Sequence, residues 1–212
     1  MGFFTAENDG DTAAQRAEDD ATITQFWAWW AETGLAATAE VFDADEPSDE
    51  ALQEIGDKVG GFAEDLGLGF ESGPGRVARH VLVFTPAGDP ELADVADRWL
   101  AAAPAADEAF EYDNRRRAVE DPESVGIAFG EQEFDLIDMT MTTERDGDRL
   151  DIHLWHPAFV EAPQEVAGNV AFLLLDALLG EGVVEAKIGE VRFDTELGAD
   201  AVPMISLREL LA

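Results

Sequence analysis

Few side chains in this 212-residue sequence combine types and spacing that could do chemistry. With no cysteine and three histidines, thiolate catalysis, disulfide frameworks and zinc fingers are excluded, and a transition-metal site has little to draw on. No serine lies in a nucleophile-elbow pattern. Ser48 and Ser206 read as helix caps and Ser72 and Ser124 as turn residues, so serine hydrolysis has no support. The 47 Asp and Glu residues make a carboxylate pair expected by chance, and no glycosidase-like acid/base pair stands out. Asp43-Ala44-Asp45-Glu46 lacks the loop length, central Gly and closing Glu of a calcium hand. Neither a metal site nor a cofactor is expected. Ser72-Gly73-Pro74-Gly75-Arg76 could offer backbone N–H groups and a guanidinium to an anion. It lacks the spacing and Lys of a P-loop and precedes a strand pattern, so a plain turn is the expectation. His80, between Arg79 and Val81, reads as a hydrogen-bonded structural residue, while His156, before Pro157, stays open between structure and chemistry.

The constellation that could bind something lies on a hairpin. Arg145-Asp146-Gly147-Asp148 places Asp-Gly at the centre of a two-residue, type I′ turn. With Arg145 opposite Asp148, Thr143 faces Leu150, Met141 faces Ile152 and Met139 faces Leu154 on an apolar side. On the other side Glu144 faces Arg149, Thr142 faces Asp151, Thr140 faces His153 and Asp138 faces Trp155. Asp138, Thr140, His153 and Trp155 then lie within cross-strand reach, about 5 Å between the Cβ atoms of a pair. They form the candidate ligand or partner surface, able to stack and hydrogen-bond. The competing reading packs Trp155 under a neighbouring element and leaves His153 to cap a loop. Asp176, inside the most apolar helical stretch, is expected to accept hydrogen bonds from a neighbouring loop or strand, because a buried, unpartnered carboxylate is costly.

These residues must be positioned by the elements that the pattern predicts. Residues 1–21 are polar, acidic and aperiodic, and read as a mobile leader. Thr22-Ile23-Thr24-Gln25 has capping-box spacing and opens a helix to about residue 41 that carries Ile23, Phe26, Trp27 and Trp30. Ser48 caps a second helix, with Leu52, Ile55, Val59, Phe62 and Leu66 along one seam and Gly67 at its end. Residues 77–84 read as an interior strand, and Asp89-Pro90 opens a helix that Pro104 stops. Strands follow at 109–115, 124–129 and 134–143. Pro163 starts a helix through Leu179, apolar nearly all round and expected to be the buried central one. A short helix at 183–187 precedes a strand at 190–194. Ser206 opens a terminal helix with Leu207, Leu210 and Leu211 inward. Together these predict an α+β protein with a largely antiparallel sheet packed with several helices. One domain is expected over 22–212, made of a helical N-terminal segment, 22–67, and a sheet-containing core, 68–212.

The run Arg79-His80-Val81-Leu82-Val83-Phe84, then Gly88-Asp89, Ala103-Pro104 and the hairpin, is followed by Phe172-Leu173-Leu174-Leu175-Asp176-Ala177-Leu178-Leu179-Gly180-Glu181 and by Val184-Glu185-Ala186-Lys187-Ile188-Gly189-Glu190-Val191. Over roughly residues 68–196 this order of features resembles bacterial proteins of the domain-of-unknown-function family numbered 695. The resemblance implies an α+β bacterial domain and brings no established activity or catalytic residues.

Charge bounds the partners. Thirteen Lys and Arg against 47 Asp and Glu give a formal net charge of −34. Residues 1–57 hold a single basic residue, Arg16. Only Arg115-Arg116-Arg117 clusters basic residues, so no phosphate-neutralising surface and no direct nucleic-acid binding is expected. No apolar run approaches the roughly 20 residues of a membrane span, and the N-terminus lacks signal-peptide features, which predicts a cytoplasmic protein without a membrane role. The acidic excess fits a solvated or salt-adapted surface, an electrostatic partner for a basic protein, or mimicry of nucleic acid. The leading expectation is a non-enzymatic cytosolic interaction or regulatory protein. The alternative, from another class, is an enzyme or small-ligand-binding protein using the polar face of the 134–155 hairpin. Oligomeric state is left open.

Overall fold

A computed structural model describes residues 8–130, 132–194 and 196–211. The chain is α+β and divides at Arg115/Arg116 into two compact units, where one domain over 22–212 was expected. The division follows the apolar residues. One buried cluster runs in sequence from Ile23 to Phe110, the other from Phe134 to Leu207, and each half encloses its own core.

In the first unit α1 spans Asn8–Trp29, passes through a single π-helical turn, Trp30–Gly34, and continues as α2, Leu35–Phe42. The capping box expected at Thr22 is therefore mid-helix. The Thr24 hydroxyl donates back to the Asp20 carbonyl at 2.8 Å, the i−4 bond of an interior threonine. Residues 8–21, expected as leader, are helical, whereas residues 1–7 of that leader lie outside the described residues. Helix formation there is supported from afar: Arg98 bonds to Asp19 at 2.8 Å and also to Asp20. At the π turn the Trp29 ring lies so close to Gly34 that a Cβ there would come within 2.8 Å of it.

Helix α3, Asp49–Asp65, starts as expected on Ser48, whose hydroxyl accepts the Ala51 N–H at 3.2 Å. Strands β1 (Gly69–Pro74), β2 (His80–Thr85) and β3 (Phe110–Asp113) form a sheet in that order, β1 antiparallel and β3 parallel to β2. Helix α4, Ala93–Ala101, makes the crossover from β2 to β3, and the Asp89 side chain caps its leading turn. The glycine-containing stretch read as a turn supplies β1 up to Pro74, and the chain reverses at 75–79 instead. The core is aromatic: Phe84 stacks on Trp99 at 4.3 Å between centroids, and Phe26 touches Trp30, Phe84 and Trp99.

In the second unit β4 (Gly126–Phe129) and β5 (Gln132–Asp135) form a short antiparallel pair. Strands β6 (Thr140–Asp146), β7 (Arg149–Trp155), β8 (Ile188–Phe193) and β9 (Val202–Pro203) make a mixed sheet ordered β8-β7-β6-β9, with β7 and β8 parallel. Helix α5 (Gln164–Leu179) ends at Gly180, at φ +84°, before α6 (Glu181–Lys187). Helix α5 buries Val170, Ala171, Leu174, Leu175 and Leu178 in the same cluster as Met141, Ile152 and Leu154 of the sheet. It is not buried all round, since Phe172 is 45% and Leu173 39% exposed. At the terminal α7 (Leu207–Leu210), Leu207 points inward but Leu210 is exposed. Ser206 does not cap it: its hydroxyl donates to the Pro203 carbonyl at 2.7 Å. Among the described residues no single helix is long and apolar enough to cross a membrane.

Candidate functional site

The hairpin is present with its pairing displaced by two residues. Thr140 lies opposite Trp155, Met141 opposite Leu154, Thr142 opposite His153, Glu144 opposite Asp151 and Asp146 opposite Arg149. The turn residues are thus Gly147-Asp148. Gly147 has φ +60° and Asp148 is not at positive φ, which is a type II′ requirement rather than the expected I′. Because the period of a strand is two, this displacement leaves every side chain on its expected face: Met141, Ile152 and Leu154 remain in the core. The cross-strand partners change. Thr140 meets Trp155 instead of His153, and the like-charged Glu144 and Asp151 replace the expected Glu144–Arg149 match.

Of the four candidate residues, Thr140 and Trp155 are brought together as one pair, and His153 belongs to the neighbouring pair on the same face. Asp138 is not in the ladder. The chain forms a 3-10 turn at Leu136–Asp138 before β6 begins, anchored by the buried Leu136, whose N–H donates to the Val125 carbonyl at 2.9 Å, and Asp138 is exposed.

Other elements complete this face. His153 Nδ1 lies 3.4 Å from Asp194 Oδ2, and the Asp194 N–H donates to the Leu154 carbonyl at 2.8 Å. Asp151 accepts the Glu190 N–H at 2.7 Å. Arg192, opposite His153 on β8, bonds to Glu190 and holds its carboxyl below the ordinary range. Gly198 approaches the Thr142 methyl, since a Cβ there would lie 3.3 Å from it. Within this setting Thr140 Oγ1 and Trp155 Nε1 are both buried without a hydrogen-bond partner among the described residues. This cross-strand pair thus leaves an indole donor and a hydroxyl that can donate or accept both unsatisfied.

The described residues hold no group of three or more His, Asp and Glu that could bind a metal ion. Asp176 accepts from Arg116 Nη1 at 3.3 Å, the neighbouring-loop partnership expected of it. His80 is hydrogen-bonded, as expected: its Nε2 is 2.8 Å from Asp43 Oδ1, and Arg79 grips the same carboxylate through Nε at 3.1 Å and Nη2 at 2.8 Å. These hydrogen bonds, the Arg79 one first, hold the Asp43 carboxyl below its usual range. Sequence reasoning missed Glu111. Buried at 4% exposure, its carboxylate accepts the N–H groups of Arg76, Val77 and Ala78. The signal was present as an acidic residue between Phe110 and Tyr112 in a strand pattern, but its partners lie some 35 residues away.

Compared with known protein families, curated proteins and solved structures, the chain matches none.

Proposed function

We propose that this chain is a non-enzymatic, cytoplasmic interaction or regulatory protein whose acidic helical face, on α1 to α3, engages a basic protein partner. The observation that carries this reading is the uneven use of charge in the first unit. Glu32, Glu40, Glu50, Glu54, Asp57 and Glu64 are exposed, while the few basic groups nearby are engaged within the unit. Arg98 is held by Asp19, Asp20 and Asp94, and Arg16 by Asp94 at 2.7 Å. The Lys58 ammonium lies over the Trp29 and Phe62 rings, 5.7 and 5.1 Å from their centroids. A field of one sign presented this way steers encounter with an opposite charge and suppresses nucleic acid and anionic surfaces. The family resemblance over residues 68–196 adds an expected domain type and no activity.

The test is affinity capture from native lysate, comparing the wild type with a folded variant carrying Glu50→Gln, Glu54→Gln, Asp57→Asn and Glu64→Gln. The expected result is a basic protein captured by the wild type at low salt and lost from the variant. Capture of the same set by both overturns the reading.

The unpartnered Thr140 and Trp155 atoms favour a second reading, a small-ligand-binding protein or enzyme using the polar face of the hairpin. A His153→Ala, Trp155→Ala variant that stays folded and loses a captured small molecule supports it; one that keeps all binding removes it.

A further inference from the structure

His156 occupies the corner where β7 leaves the sheet on its way to α5. Its side chain faces inward, 3% exposed, between the rings of Phe134 and Phe159, with centroids 5.5 and 5.7 Å away. Nδ1 accepts the Ala158 N–H at 3.1 Å and so caps the 3-10 turn Pro157–Val160. An acceptor at Nδ1 puts the single proton of a neutral imidazole on Nε2. Nε2 is buried without a fully formed hydrogen bond, and the ring interacts with the Asp135 backbone. The corner is therefore built around one protonation state and one tautomer.

We propose that His156 is an acid-sensitive latch: protonation of its ring releases the Pro157–Val160 turn and with it the Phe159 anchor. A proton on Nδ1 turns the acceptor into a donor that confronts the Ala158 N–H, so the cap is lost. The same proton sets a full charge between two phenyl rings. Phe159 is 5% exposed, packs edge-on against Phe193 of β8 at 6.0 Å, and is followed by Val160, already 60% exposed. Release of the turn enlarges that apolar surface, so acid converts a closed corner into a sticky one.

Burial holds the ring below the ordinary histidine value of 6.5, and it prevails over three groups that favour the protonated form: the carboxylates of Asp138, in the 3-10 turn before β6, and of Asp135, in β5, and a hydrogen bond to the Asp135 backbone. The sign follows from linkage. The unfolded chain takes up the proton near that ordinary value and the folded chain only below it, so stability at this site is intact above it and falls as the pH drops through the interval between the two. This inference does not rest on the acidic-face reading.

The test is a nitrogen-15 NMR titration of the imidazoles, with hydrogen exchange at the Ala158, Phe159, Glu161 and Ala162 amides, in the wild type and in His156→Asn. Asn keeps a short acceptor for the Ala158 N–H and does not titrate. The expected result is an Nε2–H tautomer for His156 at pH 7, titration below the ordinary value, and protection factors at those amides lower at acid than at neutral pH by about tenfold per pH unit through the interval. In His156→Asn they change less than about twofold over the same range. A ring that titrates at or above the ordinary value, an Nδ1–H tautomer, or equal loss of protection in both proteins overturns the latch. If His156→Asn fails to fold, the wild type decides alone: protection must fall between the ordinary histidine value and the midpoint of the ring titration and level off below that midpoint, and a flat profile refutes the proposal.

Discussion

Glu111 takes the backbone N–H of Val77 at 2.8 Å, and the N–H groups of Arg76 at 2.8 Å and Ala78 at 3.2 Å close around the same carboxylate. The segment between β1 and β2 is thus a turn and an anion-binding loop at once, with the anion supplied by β3. Removing it leaves amide donors that the folded loop cannot satisfy from its own backbone. Glu111→Ala is expected to lower unfolding free energy by about 3 kcal/mol, and Glu111→Gln, which keeps one acceptor oxygen, by about half as much. Urea unfolding checks both. An alanine variant within about 0.5 kcal/mol of the wild type would show that water replaces the carboxylate without loss.

Thr140 Oγ1 is buried and unpartnered, as is Nε1 of its cross-strand partner Trp155. A hydroxyl without a partner contributes nothing that an isosteric methyl does not, so Thr140→Val is expected to be neutral or stabilising, within about 1 kcal/mol. Thermal or chemical unfolding of the purified protein provides the comparison. A loss well beyond that range means the hydroxyl is bound to something that purifies with the chain, and mass spectrometry of the denatured sample then identifies it.

Leu174 and Phe172 sit two residues apart on α5 with opposite environments, 0% and 45% exposed. Leu174→Asp is expected to remove about 4 kcal/mol or more, because it buries an unpaired charge. Phe172→Asp should stay within about 1 kcal/mol, since its carboxylate meets water. Equal melting temperatures for the two variants would mean that the helix is rotated about its axis from the orientation described.

The same pair shows where the sequence stops being legible. A helix apolar on every side gives no periodic contrast, so its buried arc emerges only from the sheet it meets. The hairpin shows the complementary case. Alternation of Met141, Ile152 and Leu154 with polar neighbours identifies the core face, but a two-residue displacement preserves alternation, and only the φ of Gly147 selects among registers. Capping at Ser48 and termination at Gly180 were readable because they depend on adjacent residues. The helix over residues 8–21 was not, because Asp19 and Asp20 meet Arg98 across 79 and 78 positions. The division at Arg115/Arg116 was equally hidden, since both halves carry similar apolar patterns and differ only in which residues they bury together. Among the candidate surface residues, Thr140 and Trp155 were correctly placed on one face for the same alternation reason, while Asp138 left the ladder because Leu136 folds inward one turn earlier.

The net charge of −34 makes ionic strength a stability variable. Most carboxylates on α1 to α3 are exposed, so each is individually well solvated, and their repulsion acts over distance rather than in contact. At about 10 mM salt the Debye length is about 30 Å and groups on separate elements interact; at about 1 M it is about 3 Å and they do not. Salt also weakens the bonds of Arg98 and Arg16 to Asp19, Asp20 and Asp94, but that cluster comprises two cations, and Arg98 and Asp19 are shielded from solvent, with 17% and 13% of their side-chain surface exposed. Relief of repulsion therefore outweighs loss of attraction, and the melting temperature is expected to rise with potassium chloride across that range. Calorimetry at fixed pH and protein concentration reads it directly. A flat or falling profile would show that the carboxylates are too dispersed to oppose folding, and a rise that continues into the molar range would mark adaptation to salt.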